Sequence, residues 1–233
     1  MDSYCIKPNY TPRPVANTKV ENIEDYWTKQ RIHNSGLYQW DVYQLAAEHL
    51  AKNPGATVAD VGCGYPRKAD LLLEPASAAI TLFDQPSMAP FMAAHFPNFD
   101  FVPVDLERGL ESYDERFDCV VCADVIEHLL DPSALVELLR QLLRPDGHLF
   151  ISTPERDAAH GTDCVTSSHP EHVREWNLSE FHAYLTRSGL RVINQRSLPP
   201  KRLNPVMNLL EPLFGSFSPA RFKGCQLAIC QAE

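Results

Sequence analysis

Gly62 and Gly64 flank Cys63 where an apolar run, Thr57–Val61, gives way to a helical pattern, and Asp84 follows twenty residues after Gly64. Glycines at a strand-to-helix turn let a cofactor lie against the backbone, because a Cβ would hold it off. A carboxylate at the end of the next strand can accept both hydroxyls of a ribose. A second group of reactive residues, Asp124, Glu127 and His128, follows a later apolar run, Phe117–Cys122. On a helix, positions i, i+3 and i+4 share a face, so this spacing predicts two carboxylates and an imidazole converging. Mixed oxygen and nitrogen donors suit Mg²⁺, Mn²⁺ or Zn²⁺.

The elements that must position these groups alternate. Thr57–Val61, Ala79–Phe83, Phe99–Val104, Phe117–Cys122 and His148–Ser152 are short apolar runs, with helix patterns at Lys68–Glu74, Met88–His95 and Pro132–Leu143 between them. The last of these helices has Asp131 placed as N-cap, Pro132 at the first helical position, and Leu135, Leu138, Leu139, Leu142 and Leu143 on one face. Arg144-Pro145-Asp146-Gly147 reads as a turn into the fifth strand. Near-continuous apolar strands separated by helices predict an α/β architecture, a parallel sheet covered on both faces. Farther on, Asn177-Leu178-Ser179-Glu180 has capping-box spacing and starts a helix that stops near Ser188-Gly189. Leu190–Gln195 and Cys225–Gln231 read as two more strands, separated by a proline-rich stretch, Leu198–Lys223. Upstream, Pro8, Pro12 and Pro14 mark an irregular segment. Asn22–Leu50 is helical and carries Tyr26, Trp27, Tyr38, Trp40 and Tyr43, too many aromatics to sit in water. The chain thus divides into an N-terminal arm with a helical cap, residues 1–50, and a main domain, residues 51–233.

Two cofactor classes compete for the glycine loop. A dinucleotide fingerprint needs G-x-G-x-x-G to seat a pyrophosphate, and here Gly64 is followed by Tyr65-Pro66-Arg67-Lys68 with no third glycine. Asp60, two residues before Gly62, would repel a pyrophosphate but suits an ammonium group. The ordered motifs V-A-D-V-G-C-G, I-T-L-F-D, F-V-P-V-D-L, F-D-C-V-V-C-A-D-V-I-E-H-L and L-L-R-P-D-G-H-L-F-I-S, covering Thr57 to Ser152, resemble those of class I S-adenosylmethionine-dependent methyltransferases. The resemblance is greatest to the small-molecule group containing the ubiquinone-biosynthesis O-methyltransferases. It implies a Rossmann-like seven-stranded sheet with helices on both faces and the last strand antiparallel. Carried over to this chain, it implies that Asp60, Gly62, Cys63 and Gly64 line the methionine end of S-adenosylmethionine and that Asp84 holds the ribose. Asp105 with Leu106 would meet the adenine, and backbone at Ala123, between Cys122 and Asp124, the methionine ammonium. Pro66 stands where the family usually has a third glycine; proline is tolerated in a first helical turn, so the expectation is a reshaped loop that still binds.

A narrower likeness concerns a metal. In small-RNA 2′-O-methyltransferases an E-x-x-E-H run and a later H-x-F-E-W run hold a divalent ion together. Asp124-Val125-Ile126-Glu127-His128 and His172-Val173-Arg174-Glu175-Trp176 resemble them, with Asp124 for the first Glu and Arg174 for the Phe. The likeness implies Asp124, Glu127, His128 and His172 as ligands of Mg²⁺, Mn²⁺ or Zn²⁺. D-x-x-E-H-L is also widespread among methyltransferases that use no metal. There His128 or His172 would act as general base or orienter for the acceptor hydroxyl. The implied activity is methylation of a hydroxyl on a small molecule. An N-methyl acceptor, a nucleic-acid 2′-hydroxyl and a catalytically silent cofactor-binding subunit stand as alternatives.

Composition narrows the field further. Lys plus Arg number 21 against 30 Asp plus Glu, a formal charge of −9, which argues against wrapping nucleic acid or an anionic membrane. No apolar run reaches the roughly 18–20 residues of a membrane span, and the opening residues carry no signal peptide, so the cytoplasm is the expected compartment. Seven irregularly spaced cysteines argue against a disulfide framework. Cys119 and Cys122 look like a redox or zinc half-site, but within a strand residues three apart face opposite ways, which predicts core packing. Asn208–Phe217 is apolar enough for a homodimer contact or a pocket cover, and the sequence does not choose between them.

Overall fold

The apolar runs become the strands of a seven-stranded sheet in the computed structural model, which describes residues 4–14, 23–204, 206–207 and 217–232. They are β1 (Thr57–Val61), β2 (Ala79–Asp84), β3 (Asp100–Pro103), β4 (Phe117–Ala123), β5 (Leu143–Pro154), β6 (Leu190–Leu198) and β7 (Cys225–Ala232). Their order is β3-β2-β1-β4-β5-β7-β6. The first five are parallel, and β7 runs antiparallel to both β5 and β6. This is the Rossmann-like α/β fold expected. The chain order reverses at β1, with β2 on one side and β4 on the other, so a crevice opens beyond the carboxyl ends of these strands.

Both faces are covered. The helices are α1 (Ile23–Tyr26), α2 (Lys29–Ser35), α3 (Trp40–Leu50), α4 (Ala89–His95), α5 (Ser133–Leu142), α6 (Arg156–His160), α7 (Leu178–Arg187) and α8 (Pro219–Lys223). One core cluster joins the leucines of α5 to Phe181, Tyr184 and Leu185 of α7, and takes in Ile6 and Tyr10 of the arm. The other joins Val42, Tyr43, Ala46 and Leu50 of α3 to Met92 of α4. Cys122 lies in the first cluster and Cys119 in the second, as their spacing requires, and all seven cysteines are free thiols. Among the described residues, no helix is long and apolar enough to cross a membrane.

Three local expectations are corrected. Lys68–Glu74 is not a regular helix: a π-helical turn, Ala69–Leu73, runs into a 3₁₀ turn, Glu74–Ala76, where Pro75 has no amide to continue an α ladder. Helix α5 starts one residue late, because Pro132 has ψ 2°, outside the helical range. Asp131 still accepts a hydrogen bond from the Ser133 amide at 3.0 Å. Arg144–Gly147 is not a free turn but part of β5, which bulges there against β4 as the register shifts between Phe117 and Cys119. A Cβ on Gly147 would lie 2.8 Å from the Phe117 carbonyl oxygen, so glycine is what permits the bulge. The capping box of α7 is complete in both directions. Most of Asn208–Phe217 lies outside the described residues; Phe217 is exposed.

Candidate active site

The glycine loop forms the floor of the crevice. Gly62 and Gly64 have φ of +75° and +54°, and the Gly62 and Cys63 amides both donate to the Phe83 carbonyl. A Cβ on Gly62 would sit 2.4 Å from a Val125 methyl carbon, and one on Gly64 3.3 Å from the Trp27 ring. The carboxylate of Asp84 accepts from the Gly64 amide through one oxygen and from the Gln85 amide through the other, each at 2.7 Å. Burial raises its pKa, and these amides offset part of that rise. Asp105 accepts from the Glu107 amide and, like Leu106, is half-buried beyond β3.

Asp60 lies in β1, two residues before Gly62. It is 1% exposed, and both its oxygens accept from the Tyr43 hydroxyl, at 2.9 and 3.1 Å. Burial pushes its pKa up to about 7, against the pull of that hydrogen bond and of Lys68.

The reactive cluster gathers beyond β4. Asp124 has φ +64°, a left-handed conformation uncommon outside glycine, so no helix starts there. Only Ile126–His128 forms a 3₁₀ turn. Asp124 therefore reaches the cluster without the expected helix: its carboxylate accepts from the Gln39 amide nitrogen at 3.2 Å and stands beside the Glu127 carboxyl. The donor atoms of Glu127, His128 and His172 do come together, within 4.8 Å of one another, and Asp124 is outside that set. Glu127 is fully buried; Oε2 accepts from the Thr153 hydroxyl at 3.0 Å, and Oε1 has no hydrogen-bond partner. Burial, then the neighbouring Asp124 charge, push its pKa well above the carboxylate range.

The two imidazoles are anchored through the same ring atom. His128 Nδ1 lies 2.9 Å from the Glu171 carbonyl oxygen, and His172 Nδ1 lies 2.5 Å from Glu175 Oε1. A carbonyl or carboxylate partner requires Nδ1 to carry the proton, which leaves Nε2 as each ring's basic nitrogen. Glu175 is buried and also accepts from the Ser167 hydroxyl at 2.7 Å, with His160 Nε2 3.1 Å from its other oxygen. Burial would raise the Glu175 pKa, but the His172 and Ser167 hydrogen bonds outweigh it and hold the carboxyl below its ordinary value. Burial and then the adjacent His172 lower the His128 pKa, so its ring is neutral near pH 7. The His128 and His172 rings stand 4.8 Å apart, centroid to centroid, and His169 stacks on His172 at 4.0 Å.

The H-V-R-E-W run thus divides its work. His172 and Glu175 enter the cluster, the Val173 amide donates to the Glu127 carbonyl, and Arg174 donates to the Leu129 and Leu130 carbonyls while packing on the Tyr4 ring. Sequence reasoning missed Glu175, Gln39, Tyr43 and Lys68. Glu175 alone had a local signal, three residues after His172, the spacing of a helical pair. Gln39 gives no such hint: it reaches Asp124, Ser152 and Cys225 through contacts 85 to 186 residues apart in sequence.

A family model described as a methyltransferase domain matches residues 33–195. A Mycolicibacterium smegmatis protein named "Probable S-adenosylmethionine-dependent methyltransferase" is 34% identical over 171 residues, 72% of this chain and 61% of that one. A ubiquinone biosynthesis O-methyltransferase from Albidiferax ferrireducens is 32% identical over 162 residues, 66% of this chain and 64% of its own length. The chain therefore spans somewhat less than two thirds of these relatives. Among solved structures, a Haloferax volcanii methyltransferase complex with the Trm112 activator aligns with a TM-score of 0.66 at 17% identity, covering 92% of this chain and 99% of the other. An S-adenosylmethionine-dependent methyltransferase from Mesorhizobium loti aligns at 0.59 and 17%, covering 82% and 99%; at such identity the likeness is one of fold.

Proposed function

We propose that this chain, which belongs to the S-adenosylmethionine-dependent methyltransferase family, methylates a hydroxyl group of a small molecule. The observation that carries the oxygen assignment is the pair His172–Glu175, a buried carboxylate fixing the tautomer of an imidazole at the carboxyl end of the sheet. When bound, the cofactor supplies a methyl group already activated by its sulfonium. The protein's share is then to hold the acceptor oxygen in line and to take its proton. Gly62 and Gly64 leave bare backbone for the cofactor, Asp84 receives the ribose hydroxyls, Asp105 and Leu106 flank the adenine, and the Ala123 backbone meets the methionine ammonium. His172 Nε2 accepts the proton, and Glu175 stabilises the imidazolium that results. We assign residues 1–50 as an arm that caps a domain of residues 51–233, a reading supported by its described part: Trp27 lies against Gly64 and Gln39 against Asp124. The relatives named ubiquinone biosynthesis O-methyltransferase support an oxygen acceptor, and a charge of −9 argues against a polynucleotide.

Supplying S-adenosylmethionine with panels of catechol, sugar and amine acceptors, and measuring S-adenosylhomocysteine release, tests this. Turnover with amines alone would overturn the oxygen assignment. For the cofactor, Asp84→Ala is expected to weaken S-adenosylhomocysteine by about 1.5–3 kcal/mol in calorimetry, through lost ribose hydrogen bonds and a loosened Gly64 amide. An unchanged affinity would remove Asp84 from the ribose site.

One observation favours a second reading of the same cluster. Glu127, His128 and His172 offer one oxygen and two nitrogens within 4.8 Å, and Glu127 Oε1 is buried without a donor, which fits a divalent cation. Such an ion would lower the pKa of an acceptor oxygen. On this reading crystals soaked in Mn²⁺ show anomalous density between His128 and His172, and EDTA abolishes turnover until Mn²⁺ is restored. Full activity in EDTA leaves His172 as the base alone.

A further inference from the structure

We infer that Lys68 binds the carboxylate of the cofactor's methionine moiety, so that the chain supplies a fixed cation for one end of that zwitterion. The inference rests on the cofactor reading above and assigns a role to the Tyr65–Lys68 stretch that replaces the expected third glycine. Lys68 stands just before the π-helical turn and is half-buried. Its Nζ donates to the Ser35 carbonyl at 2.7 Å, at the end of α2, and lies 4.7 Å from the centre of the Tyr43 ring. The hydroxyl of that same ring donates to Asp60. Lys68 is thus placed between the arm and the floor of the glycine loop, close enough to Asp60, Asp124 and Cys63 for their charges to act on it.

Charge balance makes the assignment. Asp60 and Asp124 both act on Lys68, and acids at the methionine end attract an ammonium but repel the carboxylate two bonds away. A lysine among them reverses that repulsion. An ammonium has three N–H donors, and among the described residues one is used on Ser35, so two remain for an incoming carboxylate. Burial lowers the Lys68 pKa, and the charges of Asp60 and Asp124 offset only part of that fall. The rival role is mechanical, a strap from the loop to α2, and it makes a different prediction.

The two are separated by ligands that differ in one group. S-adenosylhomocysteine carries the carboxylate, and its decarboxylated analogue, S-adenosyl-3-thiopropylamine, does not. Lys68→Gln keeps a donor for the Ser35 carbonyl and removes the charge. In calorimetry it is expected to weaken S-adenosylhomocysteine about 10–100-fold while leaving the analogue within about threefold of its wild-type affinity. Lys68→Arg should restore much of the preference, and covers the case in which the glutamine variant melts early. An equal loss for both ligands would make Lys68 a strap and overturn the inference. A folded wild-type protein that bound neither ligand would overturn the cofactor reading instead.

Discussion

Replacing His172 by alanine is expected to lower turnover of a hydroxyl acceptor by about 10²–10⁴-fold, the range for loss of a positioned general base. Affinity for S-adenosylhomocysteine should stay within about threefold, because the ring sits beyond β4 and not on the glycine loop. The size of the effect follows from how firmly the ring is held. Nδ1 is 2.5 Å from Glu175, which is itself fixed by Ser167, and His169 stacks on the ring face. Glu175→Gln keeps a partner of the same shape but not its charge, so its loss should be smaller and should fall on kcat, with KM little changed. The pH dependence has a sign. An imidazole must be neutral to take a proton, and His128, its neighbour in the cluster, is held below the ordinary range of about 6.5. Protonation of His128 in acid would set a positive charge against the imidazolium that His172 must form, so a pH–rate profile should decline on the acid side. Undiminished turnover by His172→Ala in single-turnover assays would remove the base from the mechanism.

Glu180→Ala should give the largest loss of stability, about 3–5 kcal/mol, because it strands a buried cation. Arg156 is 1% exposed, and its guanidinium donates through two nitrogens to the two oxygens of Glu180. The same carboxylate accepts from the Asn177 amide, closing the capping box of α7, and from the Lys7 amide in the arm. One side chain therefore joins α6, α7 and the segment before α1. Asp157 would remain beside Arg156 at 3.0 Å and supply part of the compensation. In thermal unfolding the midpoint should fall by on the order of 10 °C. Glu180→Gln, which keeps one acceptor oxygen for the amides, should lose less. A change under about 1 kcal/mol for the alanine variant would mean that Asp157 or water replaces the pair at no cost.

What was legible in the sequence was what short stretches decide. Apolar runs located β1, followed by Gly62, and β2, with Asp84 at its tip, and the capping box located α7. The α5 leucines marked the face it buries. What failed was backbone geometry with no side-chain period. The left-handed Asp124 turns a supposed helix into a 3₁₀ turn, and the bulge through Arg144–Gly147 belongs to a strand although its residues are those of a turn. The polar partners of the site failed for another reason. Gln39, Tyr43 and Lys68 meet Asp60 and Asp124 only once α3 has packed on the sheet, and no spacing encodes that meeting. The motif around Asp60 likewise gives no sign of the Tyr43 hydroxyl that donates to it.

Strand β7 lies between β5 and β6 although its residues leave the ribosome after both. Until Cys225–Ala232 emerge, β5 presents an open hydrogen-bonding edge and β6 has no strand to join, because Leu149 must wait for Cys230 and Leu190 for Ala232. The nascent chain therefore passes through a stage in which β1 to β5 can pair while an apolar edge faces outward, a template for chaperones or for other nascent chains. Closure of the sheet waits for β7 to leave the ribosome, and a stall in synthesis before β7 would release an aggregation-prone chain.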